Sequence, residues 1–166
     1  MTIRNPHLVM KERSRAAVDL LEKQAIFMPT NPGGDMPRLV NEVTSLPDDD
    51  LMELYVEFTS WLDYAAAQSA TAAIDERSAQ RVVDRTEAAS LVSNWGGSSG
   101  DRVALSKARA ATSPEVVAAY ELLDERHAFR KMAEVITTNL DRDASLLSRE
   151  ITRRTAGPKK SGTRFS

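Results

Sequence analysis

Arg149, Arg153 and Arg154 fall within two turns of a helical stretch near the end of this 166-residue chain. Lys159, Lys160 and Arg164 carry the positive charge on toward the C-terminus. Cations spaced this way suit phosphate oxygens. Six of them neutralising a strand would give salt-sensitive, sequence-indifferent binding. Phe165 adds one aromatic ring able to stack on a base. The same residues also fit a solubilising tail, because short basic tails are common.

Other groupings offer less. Asp48-Asp49-Asp50 has the composition of a divalent-cation site. Consecutive residues point in different directions round a helix, so these acids read as a helix start. Asp141 and Asp143 diverge for the same reason. Glu125-Arg126-His127 with Arg130-Lys131 fits either a phosphate contact or a solvated, salt-laced helix face, and the latter is favoured. Ser98-Ser99-Gly100-Asp101 is Gly-rich, but no GxxxxGK[ST] pattern follows it. No Cys is present, and His7 and His127 are the two histidines. A disulfide scaffold, a Cys-based zinc site and a thiol nucleophile are thereby excluded. The expectation is a protein without catalysis, metal or cofactor.

The charge total, 22 basic against 24 acidic residues, hides a segregation. Residues 35–63 hold eight acids against Arg38 alone, a balance of −7. Residues 149–166 hold six basics against Glu150, a balance of +5. A basic end on an otherwise acidic chain reads as an anion-contacting arm. No run approaches the roughly 20 apolar residues that span a bilayer, and residues 1–10 lack the apolar segment of a signal peptide. No membrane contact is expected, and the cytoplasm is the expected location. Hydrophobic residues make up 42% of the chain, but 22 of them are alanine and only nine residues are aromatic. Such content suits long helices and close interhelical seams.

The elements that would position these groups follow from periodicity. Residues 8–24 read as a first helix, with Ala16, Ala17, Leu20, Leu21 and Gln24 on one stripe. Three Pro and two Gly within 29–37 break the chain. Residues 48–95 then contain neither Gly nor Pro until Asn94-Trp95-Gly96-Gly97. Their stripe is Leu51, Leu54, Phe58, Trp61, Ala65, Ala72, Ala79, Val82 and Ala89, stepping by threes, fours and sevens. A short helix over 101–111 carries Arg102, Lys107 and Arg109. Ser113-Pro114-Glu115 starts a last long helix, ending near Thr155. Its stripe is Ala119, Leu122, Phe129, Ala133, Ile136, Leu140, Leu147 and Ile151. The predicted fold is all-α, an extended antiparallel hairpin of two long helices with a short middle helix. The expected organisation is a helical arm over 1–28, a linker over 29–44, the hairpin over 45–155 and a flexible basic tail over 156–166. A hairpin leaves outer faces uncovered, so a homo-oligomer formed through helix seams is expected.

Thr44-Ser45-Leu46-Pro47-Asp48-Asp49-Asp50-Leu51-Met52-Glu53-Leu54 and Trp61-Leu62-Asp63-Tyr64 resemble a family of small helical bacteriophage proteins. So do Ser106-Lys107-Ala108-Arg109, Ser113-Pro114-Glu115-Val116, Phe129-Arg130-Lys131 and, above all, Leu147-Ser148-Arg149-Glu150-Ile151-Thr152-Arg153-Arg154. The resemblance covers about residues 44–154. The architecture is similar to that of the UvsY-type recombination mediators. Those assemble as rings, bind single-stranded DNA and help load a RecA-like recombinase onto strands coated by single-strand-binding protein. The resemblance implies that Trp61-Leu62 belongs to the helical core. It also implies that Lys107, Arg109, Arg149, Arg153 and Arg154 contact DNA. A structural or assembly component of the virion, docked on other virion proteins, is the competing expectation.

Overall fold

The computed structural model describes residues 6–93 and 102–156. Among them the chain is helical, with no strand: α1 (Pro6–Lys23), a 3-10 turn (Val43–Ser45), α2 (Asp48–Ser93), α3 (Arg102–Ala111) and α4 (Pro114–Thr155). The Gly-rich turn over 94–100 and the tail from 157 onward lie outside the described residues.

Local chemistry sets the helix ends. The Pro47 carbonyl accepts the Leu51 amide at 3.0 Å, and three carboxylates fill the first turn of α2, where the dipole favours negative charge. At the start of α4, Ser113 Oγ accepts the Val116 amide at 3.3 Å, and Pro114 has no N–H to leave unsatisfied. α1 closes with paired reversed bonds, Ile26 N–H to Leu21 O at 3.0 Å and Ala25 N–H to Glu22 O at 2.9 Å. That geometry needs a left-handed residue, and Ala25 supplies it at φ 59°.

The chain divides into two compact units. The first comprises Met1–Met28 and Ala67–Glu134, and the second Pro29–Ala66 and Val135–Ser166. In the second unit the early part of α2 packs on the late part of α4. Leu51, Phe58 and Ala65 are buried against Leu140, Ala144 and Leu147. Leu54, Tyr55, Trp61, Leu62 and Ile151 pack partly buried around them. Each fully buried Leu or Phe contributes about 1.5–3 kcal/mol relative to exposure. Trp61 also meets Tyr64 edge-on, ring centroids 6.1 Å apart.

In the first unit, Ala79 is buried against Leu122, with Leu123 beside them. Ala72, Val83, Val116 and Ala119 are buried too. Contacts from Glu76 to His127 and from Glu87 to Tyr120 run in opposite chain order, so the two helices are antiparallel here. Alanine at Ala72 and Ala79 lets the backbones approach closely. Ser14 of α1 is buried, and so are Ser106 and Ala110 on one face of α3. α1 turns the side containing Ser14, Ala17 and Leu21 away from solvent, whereas Ala16 and Leu20 of the expected stripe are exposed.

Four further expectations need correction. Phe129 is 52% exposed and Ile136 38% exposed, so neither belongs to the buried core between α2 and α4 within the chain. The buried ladder along α4 runs by sevens through Ala119, Arg126, Ala133, Leu140 and Leu147, with Val116, Leu123, Arg130, Thr137, Ala144 and Ile151 beside it. The apolar reading passed over Arg126 and Arg130, and so followed Leu122 outward to Phe129 and Ile136. Long arginine stems cover apolar surface, so they can hold seam positions. On α2, Val83 rather than Val82 is fully buried, and Ala89 is exposed. Finally, the linker over 29–44 is not wholly a linker. Leu39 and Val43 pack against the core of the second unit.

Candidate nucleic-acid interface

The proposed cations fall into two groups, one in each unit. In the second unit, Arg149, Arg153 and Arg154 occupy the last two turns of α4. Arg154 is held inside the protein by a full set of acceptors. Its Nε donates to Glu150 Oε1 at 2.8 Å. Nη1 donates to Asp48 Oδ1 at 2.6 Å and to the Leu46 carbonyl at 2.8 Å. Nη2 donates to the carbonyls of Thr44 at 3.1 Å and Val43 at 3.3 Å. The planar guanidinium fork suits this task, because one group satisfies the carbonyls of the 3-10 turn and an acid from each long helix. Its side chain is only 19% exposed. Arg154 therefore ties the start of α2 to the end of α4 and has no donor left over for a ligand.

Arg153 lies outside that clamp. It donates from Nε and Nη2 to the two oxygens of Glu150, both at 2.7 Å, and its side chain is 65% exposed. Glu150 thus takes hydrogen bonds from Arg153 and Arg154, and these, with the two positive charges, hold its carboxyl down at about 2. Arg149 is exposed and forms no ion pair among the described residues. Lys159, Lys160 and Arg164 lie outside the described residues. Over its whole sequence this unit carries eleven acids against eight basics.

In the first unit, α3 presents Lys107 and Arg109 to solvent, while Ser106 and Ala110 face inward. Neither cation has an ion pair among the described residues. Several acids of this unit, by contrast, are engaged. Glu76 accepts from His127 Nδ1 at 2.7 Å and pairs with Arg130 Nε. The His127 bond, helped by the Arg130 charge, lowers its pKa against the opposing effect of burial. Glu134 is held by Arg130 and, at 3.1 Å, by Lys131. Glu87 accepts from the Tyr120 hydroxyl at 2.6 Å, which raises the tyrosine pKa. Asp84 accepts from Gln80 Nε2 at 2.9 Å. The Glu125–Lys131 stretch singled out in the sequence is thus largely a salt-laced helix face. It ties α4 to α2 through Glu76.

Arg77, Arg81 and Arg85 were not candidates on sequence grounds. All three are exposed on α2, in the first unit, with no ion pair among the described residues. The signal that would have found them is their spacing of four, which puts them on one side of a helix. It was masked by the acids alternating with them, whose partners only the fold reveals. Among the described residues no group of three or more His, Asp or Glu is arranged to hold a metal ion. No described helix is long and apolar enough to cross a membrane. No family model matches the chain, and neither a curated protein nor a solved structure is found similar to it.

Proposed function

We propose that this chain is a non-enzymatic, oligomeric single-stranded DNA-binding protein of the recombination-mediator type. In this reading it assists loading of a RecA-like recombinase onto strands coated by single-strand-binding protein. The observation that carries the reading is the exposure of Lys107, Arg109 and Arg149 without ion-pair partners among the described residues. Unpaired surface cations on a helical scaffold suit phosphate contact, and repeated copies in a homo-oligomer would multiply a weak contact by avidity. The resemblance of residues 44–154 to the phage family supports the same reading. Arg154 is excluded from the interface by its intramolecular bonds.

Fluorescence anisotropy with labelled oligo-dT tests it. Binding at low salt should weaken steeply as salt rises. Removing residues 157–166 should weaken it further while leaving α4 and the Arg154 clamp intact. Absence of binding at low salt by the assembled protein defeats the reading.

A second reading, a virion structural or assembly component, draws on a different observation. Phe27 is 74% exposed and Met132 65% exposed, apolar side chains available for docking on other proteins. Mass spectrometry of purified particles decides it: stoichiometric copies favour this reading, and absence from particles removes it.

A further inference from the structure

We infer that Arg77, Arg81 and Arg85 of α2 form a contact stripe for the phosphate backbone of a single-stranded nucleic acid. The inference rests on the reading proposed above and locates its binding surface on residues outside the basic C-terminal end. Each four-residue step along α2 advances about 6 Å and turns about 40°. The three arginines therefore follow a shallow spiral along one side of the helix, and their long side chains can converge on one strand. All three are exposed, and no described acid pairs with them.

Glu76 is engaged by His127 and Arg130, and Glu87 by Tyr120. Asp84, between Arg81 and Arg85 in the chain, accepts from Gln80. Glu76, Asp84 and Glu87 thus have hydrogen-bond partners, Asp75 Oδ1 has none, and the three arginines pair with no acid among the described residues. Guanidinium groups bind phosphate oxygens in pairs of parallel hydrogen bonds. The first unit, to which the stripe belongs, carries fourteen basics against thirteen acids, whereas the second is acidic. A polyanion is therefore repelled less by the unit holding the stripe than by the unit holding Arg149 and Arg153.

The test uses the full-length protein and labelled oligo-dT over a series of salt concentrations. Three lost phosphate contacts reduce the slope of log affinity against log salt by about 2 for a single strand. The triple variant R77Q/R81Q/R85Q should show that reduction together with weaker binding at low salt, and R81Q alone about a third of it. The triple lysine variant R77K/R81K/R85K, which keeps the charge, should retain the wild-type slope. R142Q, which changes an exposed arginine of the other unit, should also retain it. If wild type binds and R77Q/R81Q/R85Q keeps its slope, the stripe is refuted while the mediator reading survives. If wild type fails to bind at low salt, both fall together. Equal affinity for duplex DNA of the same length, lost in parallel in the glutamine variant, overturns the assignment to a single strand.

Discussion

Arg154 and Arg149 are five residues apart on one helix and have opposite fates. Arg154 meets five acceptors from Glu150, Asp48 and the carbonyls of residues 43, 44 and 46, while Arg149 meets none among the described residues. Breaking the clamp strands the carbonyls of the 3-10 turn, so Arg154→Ala should lower the urea midpoint clearly more than Arg149→Ala. Equal midpoints for the two variants would contradict the clamp. Arg154→Lys should not restore the loss, because an ammonium cannot fan across five acceptors. Glu150 gives the clamp a pH dependence. Its carboxyl titrates near 2 in the folded protein against an ordinary value of 4.5. The unfolded chain therefore binds the proton first. The stabilisation is fully present above about pH 4.5 and is lost as pH falls toward 2. Glu150→Gln should flatten the acid limb of stability over that window, seen by circular dichroism. A third residue-scale effect concerns Ala25, at φ 59°. A left-handed L-residue costs about 1–2 kcal/mol, so Ala25→Gly should stabilise the end of α1 by about 1 kcal/mol, read as slower amide exchange in its last turn.

The long helices are specified by a ladder of sevens, and its members differ in how they tolerate change. Ala79 is fully buried where α2 meets α4 in the first unit. Leucine there has no room, so Ala79→Leu should cost about 1–3 kcal/mol by overpacking. Phe129 sits outside the ladder. Phe129→Gln should leave thermal stability of the isolated chain within about 0.5 kcal/mol of wild type. A large loss for Phe129→Gln, with Ala79→Leu tolerated, would reverse the register described for α4. Much of this level is legible in the sequence. The starts of α2 and α4 follow from Pro, Ser and clustered acids. The buried positions Leu51, Phe58, Ala65, Ala72, Leu140 and Leu147 follow from spacing. Phe129 and Ile136 did not, because hydrophobicity and seam position part company where Arg126 and Arg130 enter the ladder.

Self-association remains the main proposal for the whole molecule. Phe129 and Met132 are exposed on α4, and a protein of this composition would gain burial by covering them with another copy. Light scattering should give a mass that is a multiple of 18.3 kDa. Phe129→Gln or Met132→Gln should reduce that mass while leaving helicity unchanged. A monomer at working concentration, with or without single-stranded DNA, removes avidity from the functional reading. The separation of charge matters at this scale as well. A net charge of −2 is the sum of an acidic second unit and a nearly neutral first unit, so binding should be steeply salt-dependent and confined to particular faces.

Helix identity, helix ends and most of the seam were decided by the sequence itself, because caps, proline, glycine and periodicity act through near neighbours in the chain. Tertiary structure alone decided which charges are spent. Arg154 and Arg149 look alike in a row of residues, yet one meets carbonyls more than a hundred positions away and the other is exposed with no ion pair among the described residues. The same holds for Arg77, Arg81 and Arg85, which pair with no acid among the described residues although Glu76, Asp84 and Glu87 stand near them in the chain. An ion's role is set by what lies within a few ångströms, and sequence distance carries little information about that. The sequence thus determined an all-helical scaffold, and the fold determined which of its cations remain free to meet an anion.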